Sequence, residues 1–206
     1  GLCAEASASI EITDCNFVDN VADTGGGVYF TESLVEIYDA NFISNSALRG
    51  AGVFGTKADI TIGLSDFVAN WAEGDVDDPT DDTVLMRGAG LVIDSADALV
   101  YDCNFVSNQS FGSGAGIYLQ GQNETTVLNC LLQYNAAGRD GGGIATAVGA
   151  TPSIRNCTFV HNLAGPSWLG GTDESGYGGA LFAGNDSKCQ VVDSIRWHNI
   201  GRFGMA

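Results

Sequence analysis

Apolar and polar positions alternate along most of this chain in short runs, and no stretch shows the period of a helix. In the first run Ile10 and Ile12 flank Glu11, Thr13-Asp14 interrupts, and Cys15 and Phe17 flank Asn16. A period of two places Ile10, Ile12, Cys15 and Phe17 on one inward face of two short strands. The pattern then recurs. An F-x-x-N motif appears at Phe17–Asn20, Phe42–Asn45, Phe67–Asn70, Phe105–Asn108 and Phe159–Asn162, with Leu132–Asn135 as a variant. Between copies comes a triplet of small residues followed by an aliphatic one, starting at Gly25, Gly50, Gly88, Gly114, Gly141 and Gly178. Successive F-x-x-N copies are 25, 25, 38, 27 and 27 residues apart. The longest step contains an insertion.

A repeat this short, with strand-like alternation, fits one coil of a β-solenoid. The expected fold is all-β: a single right-handed parallel β-helix over residues 1–206, with about seven coils of roughly 25 residues. The last copy, the degenerate SIRWHN ending at Asn199, is placed to within one residue. Superposing the coils stacks Ile12, Ile37, Ile62, Val100, Val127 and Ile154. A second, largely aromatic stack holds Phe17, Phe42, Phe67, Phe105, Leu132 and Phe159, and a third runs from Val28 to Leu181. Asn20, Asn45, Asn70, Asn108, Asn135 and Asn162 fall in line at one corner. Stacked amides there bond to one another and to turn backbone, so these asparagines are expected to be structural.

F-x-x-N alternating with the small-residue triplet, complete as GGAL at Gly178–Leu181, and the closing SIRWHN resemble the polymorphic outer membrane protein family. More broadly they resemble extracellular right-handed β-helix repeat proteins. The resemblance covers nearly the whole chain. It implies a secreted or surface-displayed protein, an adhesin or structural element whose partners are other protein subunits or surface glycans.

Composition narrows the partners. Eight Lys+Arg face 25 Asp+Glu, for a formal charge of −17. Such a surface repels nucleic acid and anionic membranes. No apolar run is long enough to span a bilayer, so direct membrane insertion is not expected. The chain starts in mid-coil and no amphipathic cap follows the last repeat. The expectation is a segment of a longer protein, or ends covered by neighbouring subunits in a layer or filament.

Five features besides the apolar stacks and the ladder are candidates for function. Insertions within 71–87 and 163–177 leave from the same corner, three coils apart. The first carries Asp75, Asp77, Asp78, Asp81 and Asp82, hard oxygen ligands of the kind that hold Ca²⁺. Their spacing departs from an EF-hand loop and Pro79 interrupts it, so a solvated acidic loop is the simpler reading. Next, an outward column after the triplet holds Tyr29, Phe54, Val92, Tyr118, Ala145 and Phe182. Exposed, it would be an aromatic stripe for a partner or for sugar stacking. A parallel column, Val18, Ile43, Val68, Val106 and Val160, either points out or is folded in by a bend. Cys15, Cys103, Cys130 and Cys157 fall in one inward stack, while Cys3 and Cys189 fall elsewhere. Cys103, Cys130 and Cys157 come from consecutive coils, close enough for one disulfide, but free buried thiols are the favoured reading. Sequons occur at Asn108, Asn123, Asn156 and Asn185; the ladder position of Asn108 argues against its use, which leaves Asn123, Asn156 and Asn185.

No catalytic residue and no cofactor other than Ca²⁺ emerges. The favoured reading is a non-catalytic extracellular scaffold. The alternative is a carbohydrate-active enzyme or carbohydrate-binding module, since glycosidases and lyases use this architecture. It requires paired carboxylates or a basic cluster, whereas the sequence shows scattered bases and no outward stack of Lys or Arg.

Overall fold

The computed structural model describes residues 1–6, 9–73, 87–122, 124–169, 176–184, 186–201 and 204–205. The chain winds through four seven-stranded sheets. The first begins with Leu2–Glu5 and Val28–Thr31, the second with Ser9–Thr13 and Leu34–Tyr38. The third begins with Asn16–Val18 and Asn41–Ile43, and the fourth with two-residue strands at Ser46–Ala47 and Trp71–Ala72. Pairing is parallel throughout, except that Gly204–Met205 runs antiparallel to Ile200–Gly201.

The register reproduces the expected stacks. Phe17, Phe42, Phe67 and Phe105 pair in sequence across the third sheet, with ring centroids 5.1, 4.8 and 4.6 Å apart. In the last coil Arg196 takes the phenylalanine position, opposite Phe159. This settles the register of SIRWHN: Asn199 ends the ladder. Val18 is exposed, and Ile43, Val68, Val106 and Val160 are half-buried, so this column points outward.

In each of the first five coils four of the described residues take left-handed backbone conformations, one at each corner of a four-sided cross-section. Asp39, Ser44 and Glu32 mark three of these corners in the second coil, at φ of 51°, 54° and 52°. An L-residue there is strained by roughly 1–2 kcal/mol. The fourth corner is always glycine, at Gly25, Gly50, Gly88, Gly114, Gly141 and Gly178. Steric crowding explains the difference. A Cβ on Gly50 would lie 2.6 Å from the Val53 carbonyl oxygen and 2.8 Å from the Phe54 Cβ.

The asparagine ladder is complete. Asn45 Nδ2 donates to Asn70 Oδ1 at 3.0 Å and to the Phe17 carbonyl at 2.8 Å. Asn70 Oδ1 also accepts from the Asn45 backbone N–H at 3.0 Å. The same set repeats through Asn108, Asn135 and Asn162 to Asn199. From Asn45 to Asn162 these side chains are fully buried. Burying so many amides is tolerable because each is satisfied. Among the described residues, no buried side-chain polar atom lacks a partner.

Candidate functional site

The outward column of the first sheet is not the exposed stripe that alternation alone suggests. Tyr29 and Phe182 are half-buried, while Phe54 and Tyr118 are 5% and 3% exposed and pack with Val92 and Ala145 in a second apolar cluster. The cover comes from the preceding turn. The arginines that precede the glycine corner reach over the rings, Arg49 on its own coil and Arg87 on the next. Arg49 and Arg87 pair as backbone bridge partners on neighbouring coils. The Arg49 guanidinium lies 5.5 Å from the Phe54 ring centroid and Arg87 lies 4.9 Å from that of Tyr118. Both are cation–π distances.

These arginines overturn the expectation of scattered bases. Thr24, Arg49, Arg87 and Ser113 form one line along the axis. Arg139 stands close enough to act on Arg87 electrostatically. Burial holds the Arg87 guanidinium below its ordinary value; Tyr118 opposes this, and Arg139 and Arg49 add to it. The Tyr118 hydroxyl is pushed up by burial, with the Arg87 charge pulling the other way.

The result is a groove parallel to the axis. One wall is the arginine line. The floor is Cys3, Tyr29, Phe54, Val92 and Tyr118, in register. The other wall is Glu5, Thr31, Thr56, Asp94 and Gln120, two residues further along each strand. Arg87 Nη1 donates to Gln120 Oε1, bridging the walls over Tyr118. Among the described residues no such bridge crosses from Arg49, and that stretch is a cleft lined by Glu5, Tyr29, Arg49, Phe54, Thr56 and Asp94.

A second groove lies where the first sheet turns into the second. Asp59 and Asp97 are neighbours in register there, beside Glu32, Lys57 and Gln122. Asp97 Oδ1 accepts the Glu124 backbone N–H at 2.7 Å, so part of its role is to hold a turn.

Other candidates fall elsewhere. Asp75, Asp77, Asp78, Asp81 and Asp82, with the Ca²⁺ site they suggested, lie outside the described residues, as do Asn123 and Asn185. Asn156 is exposed at a left-handed corner, whereas Asn108 is buried with its amide nitrogen bonded to Asn135 and to the Phe67 carbonyl. The two insertions do leave from the same side, after Trp71–Ala72 and Leu163–Ala164 of the fourth sheet.

All six cysteines are free, with Cys103, Cys130 and Cys157 buried. Each of the three thiols donates to the carbonyl two residues back, at 3.1, 3.2 and 3.2 Å. The Cys103 side chain and burial push the Cys130 thiol up to about 12, against an opposing pull from Cys157. Cys3 is exposed, while Cys189 is half-buried beside the Thr146 hydroxyl.

Four parallel sheets, a buried ladder and a grooved flank define a β-solenoid. The chain matches the family model described as "Right handed beta helix region" over residues 1–195, and it belongs to that family. No curated protein and no solved structure gives a significant match.

Proposed function

We propose that this chain is a non-catalytic extracellular scaffold, structural or adhesive, that associates with other protein subunits through the flank and end of its solenoid. The observation that carries this reading is a cluster of exposed apolar side chains on the last coil. Ile195, Trp197 and Ile200 are 63%, 60% and 52% exposed, and Val191 on the same coil is also exposed. Large apolar side chains left exposed on one coil favour a protein contact. Along the same side, Tyr134 and His161 stack with ring centroids 5.2 Å apart, and Trp197 lies against His198 at 4.7 Å. Light scattering and negative-stain electron microscopy test the proposal. Wild type is expected to form dimers or longer assemblies that Trp197→Asp dissolves without unfolding the coil. Isolated monomers that degrade a polysaccharide would overturn it.

A carbohydrate-active enzyme is the second reading, favoured by the Asp59–Asp97 pair. Adjacent strands set these two residues side by side in register, and both line one groove. Glu5 and Asp94 fit less well, because three strand steps separate them by about 14 Å, beyond the roughly 5–10 Å such chemistry uses. Loss of hydrolysis in Asp59→Asn and Asp97→Asn would support the enzyme; absence of hydrolysis in wild type across a polysaccharide panel would remove it.

A further inference from the structure

Arg49 and Arg87 are neighbours in one column but reach differently: Arg49 lies over Phe54 of its own coil, whereas Arg87 lies over Tyr118 of the next. Arg87 reaches the long Gln120 side chain. Opposite Arg49 the wall carries the shorter Thr56, and among the described residues no carboxylate forms an ion pair with Arg49. Its guanidinium lies over the covered Phe54, and the half-buried Tyr29 lines the same cleft. Glu5 and Asp94 line the same cleft across from Arg49, so the site presents a cationic wall facing an anionic one.

We infer that the open cleft at Tyr29, Arg49 and Asp94 is a binding site for a ring-bearing carboxylate whose far edge carries hydrogen-bond donors. The guanidinium fork matches a carboxylate bidentately. Tyr29 offers a ring face for stacking. Glu5, Thr56 and Asp94 on the opposite wall accept hydrogen bonds, so they select a ligand with hydroxyl or ammonium donors there and disfavour a plain polyanion. Two sources share this chemistry: a hexuronic acid, with ring hydroxyls on the far edge, and an aromatic amino acid, with its ammonium. The site is independent of the scaffold proposal, since it involves neither the last coil nor its apolar side chains.

Calorimetric or NMR titration of the folded chain tests it, with glucuronate and phenylalanine as probes and glucose and phenethylamine as their carboxylate-free counterparts. A carboxylated probe is expected to bind at least about tenfold tighter than its counterpart, and to perturb Tyr29. Arg49→Gln is expected to weaken it about tenfold, Arg49→Lys less, and Tyr29→Ala comparably to Arg49→Gln, while Arg155→Gln on another face has no effect. Glucuronate alone binding identifies a sugar acid; phenylalanine alone, a zwitterion. If neither carboxylated probe outbinds its counterpart, or if Arg49→Gln binds as wild type does, the inference is wrong. Circular dichroism of each variant separates loss of binding from loss of fold.

Discussion

A single asparagine of the ladder supports two coils at once. Removing the Asn108 side chain strands the Asn70 backbone N–H and amide and the Phe67 carbonyl, each at about 1–3 kcal/mol when buried. Asn108→Ala is therefore expected to lower unfolding free energy by about 3 kcal/mol or more in urea titration. Asn104→Ala, which removes an exposed amide bonded to Asp66 at 2.8 Å, should change it by well under about 1 kcal/mol. Glycine corners differ from the other three in the same measurement. Gly50→Ala is expected to destabilise strongly, because a Cβ meets backbone, whereas Ser44→Gly at an equally left-handed corner should be neutral or stabilising. The buried thiols add a pH dependence. The Cys130 thiol is raised from 9.0 to about 12, so it favours the folded state while both states are protonated. That contribution is present below pH about 9 and is lost as pH rises toward 12, when only the unfolded chain releases the proton. Cys130→Ser, which keeps the small hydrogen-bonding side chain but does not ionise, should flatten the alkaline fall in melting temperature.

At the level of elements, much was legible in the sequence. Period-two alternation and the repeat placed three sheets and their inward stacks, because those strands are long enough to alternate at least once. The fourth sheet was not legible, since strands of two residues such as Ser46–Ala47 carry no periodicity. Neither was the covering of the first sheet's outer face. Alternation says which way Phe54 and Tyr118 point; it is silent on what a neighbouring turn lays over them. Arg49 and Arg87 escape a search for repeated residues because Thr24 and Ser113 flank them in the column and an insertion separates them in the chain. The cover itself can be tested. Arg87→Ala should uncover Tyr118, raising its accessibility to chemical labelling read by peptide mass spectrometry.

For the molecule as a whole, parallel stacking directs the hydrogen bonds between coils along one axis, at about 4.8 Å per step. Each coil is held chiefly by its two neighbours, so stability is close to a sum of coil and interface terms. That arrangement has a mechanical consequence. Tension applied at the two termini of the solenoid loads one coil interface at a time, and bonds within an interface give way in succession rather than together in shear. Single-molecule pulling should show a sawtooth of low, similar forces. Each tooth would release one coil of 25 residues, lengthening the tether by about 80 Å, and the 38-residue coil would release about 120 Å. A tether built this way yields gradually under load, letting out chain while the remaining coils stay folded.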